Sequence, residues 1–343
     1  MKILVDISHP AHAHFFRNAI NLWREHGHTV IIVARDKEMN LRLLDCFGFE
    51  YTLLSRVRKG MAGLIREMIE HESKLYRLAH KEKPDIMLQI AGTFIVHAGK
   101  LLGIPTIVFY DTDNATLSNA ITYPFATRIC TPDCYPVNLG RKHVTYAGYH
   151  ELAYLHPNRF RPNPSVLSDL GVKPGDPYYL LRFVSWGASH DVGESGLSPA
   201  NKLRFAKELE KHGRVFVTSE TSLPPAFEKY RIQVGVERIH DLMAYASLYL
   251  GESATMASEC AMLGVPAIYI SKTGRCYTTE QEKAYDMVYN FTNTQQEKAF
   301  EKMQDLLATP NLDKLWKEKQ KKLLSKKIDV TAWMVSFVEQ FLT

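Results

Sequence analysis

The sequence has few cysteines, no long apolar run and no tract of biased composition. Its 343 residues include five cysteines, an odd number without a Cys-x-x-Cys pair. Such cysteine usage predicts reduced thiols in a cytoplasmic protein rather than a disulfide-stapled secreted one. No apolar run approaches the roughly 20 residues of a membrane span. The N-terminal residues lack the apolar stretch of a signal peptide, so we expect neither feature.

The sequence has no large excess of charge of either sign. Lysine and arginine total 42, and aspartate and glutamate total 37, which gives a net charge of +5. This weak basic balance suits an anionic ligand or a membrane surface but is too small to predict a nucleic-acid partner. The hydrophobic fraction of 45% and the charged fraction of 23% are typical of a globular enzyme. At about 150 residues per domain, the length predicts two domains.

Short apolar runs alternate with helical patterns in two stretches of the chain. In the first stretch, strands are predicted at residues 2–6, 29–34, 85–91 and 106–110, and helices at 14–25, 38–47, 63–81 and 96–102. In the second, strands are predicted at 178–184, 214–218, 248–250 and 267–270, and helices at 199–211, 240–246, 256–263 and 280–289. Apolar strands separated by helices indicate parallel sheets with helices on both faces.

A proline-rich segment divides the two stretches. Residues 156–164 contain three prolines, which is typical of a linker. We therefore predict an α/β fold with an N-terminal domain at 1–158 and a second domain at 165–312. The helices at 313–343 are predicted to return to the first domain. Ligands of parallel sheets bind beyond the carboxyl ends of the strands, so the predicted site is a cleft between the two domains.

A turn of small residues opens the predicted helix near residue 256. Ser253, Ala254 and Thr255 lie between a strand and this helix, and Glu259 follows about one turn later. Free backbone N–H groups and the positive end of the helix dipole would favour a diphosphate there, and Glu259 would accept ribose hydroxyls. Alternatively, Ser253 and Thr255 only cap the helix and Glu259 only complements its dipole.

The segment from Ala254 to Ile268 resembles a known motif. Its pattern, small-Thr-Met-x-x-Glu-x-Ala-x-Leu-Gly-x-Pro-Ala-Ile, is similar to the donor-site motif of GT-B glycosyltransferases. The peptidoglycan lipid-intermediate N-acetylglucosaminyltransferases are well-understood relatives with this motif, and UDP-sugar 2-epimerases share their architecture. The whole chain most resembles a bacterial and archaeal family known as domain of unknown function 354. The resemblance implies two Rossmann-type domains that face each other across a cleft.

The resemblance also implies roles for individual residues. Glu259 would bind the ribose of a UDP-sugar, and Ser253, Ala254 and Thr255 would lie beside its diphosphate. The remaining implied donor contacts are Ile239 at the base, Ser185 and Gly187 in a loop over the phosphates, and Gln281 at the sugar hydroxyls. One residue departs from the pattern, because Glu252 stands where many relatives have glycine. A carboxylate there would repel a diphosphate unless it points away.

A loop rich in histidine follows the first strand. His9, His12 and His14 lie in this loop and the helix that it opens. In GT-B relatives a histidine at the position of His12 faces the cleft, where imidazole would accept a proton from the acceptor hydroxyl; His9 and His14 would lie on the acceptor side. Alternatives are a metal cluster, whose spacing matches no established zinc pattern, and a His12 that only caps its helix. Because GT-B enzymes work without a catalytic metal, we expect neither a metal nor another cofactor.

A second loop, after the strand at 106–110, resembles the acceptor-side loop of the same relatives. The resemblance implies that Asp111, Asp113 and Asn114 face the acceptor, with the two aspartates as further acid–base groups. Loop aspartates are also common as simple turn residues.

The segment 55–66 combines four cations with an apolar stripe on a predicted helix. Such a helix either faces the core or contacts anionic lipid, which would place the protein at the inner face of the membrane.

These features together predict an inverting, metal-independent glycosyltransferase of the hexosyltransferase class. It would move a sugar from a nucleotide diphosphate to a glycan or polyprenyl-linked acceptor in cell-envelope polysaccharide or glycolipid synthesis. A UDP-sugar 2-epimerase or hydrolase and a non-catalytic nucleotide-sugar-binding protein are the alternatives.

Overall fold

The computed structural model describes residues 1–112, 116–184, 196–219, 223–232 and 234–341, with only the backbone described at 116–118. The chain divides into two compact units. One contains Met1–Arg159 and the C-terminal segment from Ile328 onward, and the other contains Phe160–Lys327. No helix in the described ranges has both the length and the apolar character that a membrane crossing requires.

The first unit is a seven-stranded parallel sheet with helices. Its strands are β1 (Lys2–Ile7), β2 (Thr29–Asp36), β3 (Thr52–Arg56), β4 (Ile86–Ile90), β5 (Thr106–Phe109), β6 (Arg128–Pro132) and β7 (His143–Tyr146), in the order β3-β2-β1-β4-β5-β6-β7. Its helices are α1 (Pro10–Glu25), α2 (Asn40–Cys46), α3 (Gly60–Glu82), α4 (Ile95–Leu102), α5 (Thr116–Thr122) and α6 (Leu152–Leu155), and the C-terminal helix of the chain also belongs to this unit. β1, β4 and β5 are almost wholly buried, as expected of central strands covered on both faces.

The second unit has a five-stranded parallel sheet. Its strands are β8 (Tyr178–Phe183), β9 (Arg214–Ser219), β10 (Leu248–Gly251), β11 (Ala267–Ile270) and β12 (Val288–Phe291), in the order β12-β11-β10-β8-β9. The helices of this unit are α7 (Ser165–Asp169), α8 (Pro199–Glu210), α9 (Ile239–Ala244), α10 (Ala254–Leu263), α11 (Cys276–Lys283), α12 (Gln296–Ala308) and α13 (Leu312–Leu324), and α14 (Val330–Phe341) closes the chain in the first unit. The prediction of two parallel-sheet α/β domains is therefore confirmed.

Several elements differ from the sequence prediction. Strands β3, β6 and β7 were not predicted, because each has only four or five residues and little apolar contrast with its flanks. The helix predicted at 280–289 is wrong over its second half. Asp286 has a φ of 54°, a left-handed conformation that ends the helical run. Val288 then pairs with Ala267 of β11, so this stretch is the edge strand β12.

The two C-terminal helices belong to different units, so the predicted return to the first domain is wrong for α13. Helix α13 packs within the second unit, where the buried Trp316 ring donates from Nε1 to the Met287 carbonyl at 3.2 Å. Its amphipathic pattern did not indicate which sheet its apolar face covers. Helix α14 belongs to the first unit, in which the Thr331 hydroxyl donates to the Ala153 carbonyl at 2.6 Å.

Candidate functional site

The carboxyl edge of the first sheet carries a cluster of histidine and aspartate side chains. His12 lies in the first turn of α1, directly after β1, and Asp111 comes two residues after β5. Pro10 starts α1, and the His9 side chain caps it by accepting from the Ala11 amide at 3.2 Å. Because parallel strands end at the same edge, these residues of the first sheet lie near one another.

His12 is held in one orientation by its own loop. The Ser8 amide donates to His12 Nδ1 at 3.4 Å, and the ring centroids of His12 and His9 are 5.8 Å apart. Burial lowers the pKa of His12 well below 6.5, and the charges of His9 and Lys37 lower it further, whereas Asp111 raises it. The His12 imidazole is therefore neutral near pH 7.

His150 is a member of this cluster that the sequence analysis missed. Its Nδ1 lies 3.1 Å from Oδ2 of Asp111, and the His150 residue is only 7% exposed. The Phe15 ring of α1 packs on the imidazole with a centroid distance of 4.6 Å. A polar residue four positions after β7 was a usable signal, but only once β7 itself had been recognised.

A buried hydrogen-bond network supports the loop after β1. Asp6 accepts from the Ser8 hydroxyl at 2.7 Å and lies 2.9 Å from His71 Nε2, and Nδ1 of the same ring lies 2.8 Å from the Ser55 hydroxyl. The His71 ring also stacks on Phe94 at 4.0 Å. All the polar groups of this network are almost fully buried, so we assign it to positioning of the loop rather than to substrate contact.

The remaining predicted residues of the first unit are placed as follows. His14 is buried, with its ring against Phe47 and Tyr154 at centroid distances of 5.5 and 5.4 Å. It is therefore packed among aromatic rings, unlike His9, which lies beside His12. Across the described residues, no three His, Cys, Asp or Glu side chains form a group that could hold a metal ion. Asp113 and Asn114 lie outside the described residues.

At the carboxyl edge of the second sheet, α10 starts immediately after β10. The Ser253 side chain accepts from the Met256 amide at 3.3 Å, so the predicted cap forms. Ala254 and Thr255 form the first turn of the helix, whose amides have no carbonyl partner within the helix itself. The N-terminus of this helix therefore offers donors and a positive dipole end to an anion.

Glu259 and the segment at residue 239 come together in the structure. Glu259 is buried one turn into α10, and its Oε1 lies 2.9 Å from Nε2 of His240, the residue after Ile239 at the start of α9. A carboxylate accepts about four hydrogen bonds, so contact with His240 still leaves acceptor capacity for a ligand. His240 is the second residue that sequence reasoning missed.

Glu252, the departure from the GT-B pattern, turns its carboxylate to three donors of its own unit. It accepts from the Val184 amide at 2.9 Å and from the Leu197 amide at 2.7 Å, and it pairs with Lys202 Nζ at 3.0 Å. The Lys202 ammonium therefore balances the negative charge of Glu252, and the two amides stabilise the carboxylate further.

Gln281 is fully buried, and its Nε2 donates to the Ser258 hydroxyl of α10 at 2.7 Å. The Gln281 amide is thus held against the buried face of α10. Ser185 and Gly187, predicted over the phosphates, lie outside the described residues.

Comparisons with known proteins bear on the fold and on the family. No curated protein matches the chain. Among solved structures, Staphylococcus aureus MnaA with UDP has a TM-score of 0.70 at 11% identity, covering 99% of this chain and 96% of that one. Neisseria meningitidis UDP-GlcNAc 2-epimerase bound to UDP-GlcNAc has a TM-score of 0.68 at 15% identity, with 100% of both chains covered. The spinosyn rhamnosyltransferase SpnG with spinosyn aglycone has a TM-score of 0.64 at 13% identity, also with 100% of both chains covered.

At such low identities these neighbours show the fold alone, and the predicted GT-B-like fold is confirmed. The family model described as Protein of unknown function (DUF354) matches residues 1–342. The chain therefore belongs to the DUF354 family, as its sequence resemblance indicated.

Proposed function

We propose that this protein is an inverting glycosyltransferase that uses a nucleotide-diphosphate sugar, with UDP as the nucleotide. The observation that carries the proposal is the arrangement at α10. A capped helix N-terminus follows β10, and one turn further Glu259 meets the start of α9. Anion donors and a carboxylate that would accept ribose hydroxyls then lie about one helical turn apart. Solved neighbours with UDP or UDP-GlcNAc bound have the same fold, which supports the proposal.

The geometry of Glu252 removes the main objection to a diphosphate ligand. Its carboxylate is already occupied by two amides and Lys202, so it does not oppose an anion at the start of α10. The helix end then stabilises the departing diphosphate as charge builds on it, with donors that are in place before the reaction. We therefore expect activity to survive EDTA. Loss of activity with EDTA that a divalent ion restores would contradict the metal-free mechanism.

In the proposed reaction, a base at the carboxyl edge of the first sheet takes the proton of the acceptor hydroxyl. The histidine and aspartate cluster supplies the candidates, and His12 is the one that the resemblance to GT-B enzymes predicts. A neutral imidazole near pH 7 satisfies the first requirement of a base.

The proposed acceptor is a glycan or polyprenyl-linked hydroxyl, with peripheral contact to anionic lipid. Support comes from α3, on which the apolar side chains of Met61, Ile65 and Ile69 are exposed at four-residue spacing. Arg56, Arg58, Lys59 and Arg66, on the same helix and the segment before it, are also exposed. Exposed apolar residues beside cations suit the surface of an anionic bilayer.

Titration calorimetry with UDP tests the proposed donor site. Glu259→Gln keeps the size of the side chain but replaces the charged acceptor, so UDP should bind about 1.5–3 kcal/mol more weakly, or roughly ten- to a hundredfold. Glu297→Gln, which changes an exposed carboxylate of the same unit, is the matched control and should leave affinity unchanged. Equal affinity in wild type and Glu259→Gln would refute the ribose role.

The alternative activity of 2-epimerisation is tested with UDP-GlcNAc alone. Transfer requires an added acceptor, whereas appearance of the epimerised sugar or of its elimination product without an acceptor would favour the epimerase. Binding without turnover of any donor–acceptor pair would favour a non-catalytic nucleotide-sugar-binding protein.

A further inference from the structure

The hydrogen bonds of the first unit determine which nitrogen of His150 carries a proton. Nδ1 of His150 lies 3.1 Å from Oδ2 of Asp111, and the Thr112 hydroxyl donates to Oδ1 of the same carboxylate at 3.0 Å. An ionised carboxylate only accepts hydrogen bonds, so the proton of a neutral His150 ring lies on Nδ1. The lone pair is then on Nε2.

Nε2 of His150 is buried and has no hydrogen-bond partner among the residues that the structure describes. Leaving a buried polar atom without a partner is unfavourable, because the atom loses its hydrogen bonds to water and gains none in the protein. The rest of the ring is packed, against Phe15 and, in a stacked arrangement, against Tyr146. A basic lone pair that the protein itself does not satisfy is suited to a hydroxyl of a bound molecule.

His12 has the opposite tautomer. The Ser8 backbone amide can only donate, so Nδ1 of His12 accepts its hydrogen bond at 3.4 Å and the ring proton lies on Nε2. Because burial lowers the pKa of His12, the ring stays in this neutral form near pH 7. His12 therefore presents an N–H donor, while His150 presents an acceptor.

We propose that His150 is the catalytic base of this site, that Asp111 positions it, and that His12 donates a hydrogen bond to the acceptor oxygen. The inference rests on the proposed function, because it needs an acceptor hydroxyl. As that oxygen bonds to the anomeric carbon of the donor sugar, its proton passes to Nε2 of His150. The bond from the anomeric carbon to the diphosphate oxygen breaks, and its electron pair leaves with the nucleotide diphosphate. The imidazolium opposite Asp111 later releases the proton to water.

The tautomers are tested first and without any substrate. Long-range ¹H–¹⁵N spectra of histidine-labelled full-length protein at pH 7.5 distinguish the two neutral forms, and the signals are assigned from His150→Gln and His12→Gln. We expect the Nδ1–H form for His150 and the Nε2–H form for His12. An Nε2–H signal for His150 would overturn the proposal. In Asp111→Asn, the loss of the negative charge should reduce the Nδ1–H population of His150.

Kinetics then test the role in the reaction, with release of UDP from UDP-GlcNAc and a panel of acceptors as the readout. His150→Gln should lower kcat by about 10²–10⁴-fold, the usual contribution of a general base, with little change in the donor KM. His12→Gln should lower kcat less, and His80→Gln, on the solvent side of α3, should not lower it. A larger loss in His12→Gln than in His150→Gln would return the base to His12. If wild type turns over no donor with the expected tautomers present, the proposed function fails and the tautomer assignment stands.

Discussion

At the start of α10 in the second unit, three polar side chains bond to groups of their own unit, whereas in the first unit Nε2 of His150 has no described partner. Ser253 caps α10, Glu252 is held by two amides and a lysine, and Glu259 contacts His240. By contrast, Nε2 of His150 is buried without a described partner. The first arrangement suits a rigid binding surface, and the second suits a group that exchanges a proton with a ligand.

The comparison also extends to charge. In the second unit the Glu252 carboxylate is buried against Lys202, so its negative charge is balanced by a residue of the same unit. At the first edge, burial lowers the pKa of His12, and the charges of His9 and Lys37 lower it further. We infer that the rigidity of the second unit and the proton affinity of His12 in the first unit are independent. A mutation in one unit should therefore leave the property of the other unit unchanged.

Removal of the Glu252 carboxylate should give the largest loss of stability. Glu252→Ala leaves Lys202 and the amides of Val184 and Leu197 without their acceptor, and breaking a buried ion pair costs about 3–5 kcal/mol. Urea unfolding with the m-value as a check on two-state behaviour measures this. Glu297→Ala removes an exposed carboxylate of the same unit and should cost at most about 1 kcal/mol. Similar small losses in both variants would mean that Glu252 is not a structural anchor.

A methyl group at residue 196 should have an intermediate effect through the same carboxylate. A Cβ at Gly196 would lie 2.1 Å from Oε1 and 2.6 Å from Cδ of Glu252, so Gly196→Ala must displace the buried side chain. Overpacking of this kind typically costs about 1–3 kcal/mol. Gly274→Ala is the matched control, because a Cβ there meets nothing closer than 3.7 Å. Unfolding curves of the two variants should differ, and coincident curves would show that Glu252 moves without cost.

The smallest expected effect is a pH dependence that arises from the first unit. Burial lowers the pKa of His12 in the folded state, so as pH falls through about 6.5 the unfolded chain binds a proton that the folded chain resists. This contribution is complete above pH 6.5 and is lost below it, with a slope of at most about 1.4 kcal/mol per pH unit. Burial also lowers the pKa values of His143 and His156. Their contributions to the pH dependence of stability are the same whether or not His12 is replaced.

His12→Gln isolates the term that belongs to His12. Between pH 7 and pH 5, the free energy of unfolding should fall more steeply for wild type than for the variant, as measured by urea unfolding at each pH. Parallel pH profiles would show that His12 accepts protons as readily in the folded chain as in the unfolded one. That result would weaken the assignment of His12 as a neutral donor.

Local patterns in the sequence were sufficient for the central framework. β1, β4 and β5 were predicted because fully buried parallel strands have continuous apolar runs, and α10 was predicted from its cap and its glycine stop. Short edge strands carry weaker signals, since half of their surroundings are loops or solvent. The prediction therefore failed at β3, β7 and β12, where pairing with a neighbouring strand decides the structure.

The sequence by itself determined the two α/β domains, the family and the segments that follow the strands at the carboxyl edges. Tertiary structure alone decided which side chains meet there. Glu252 bonds to amides 68 and 55 residues away, and His150 meets Asp111 only because β5 and β7 end at the same edge of one sheet. The period and composition of a segment are local quantities, so they predict helices, strands and caps. The partner of a buried charge or imidazole depends on strand order and packing, which no local pattern contains.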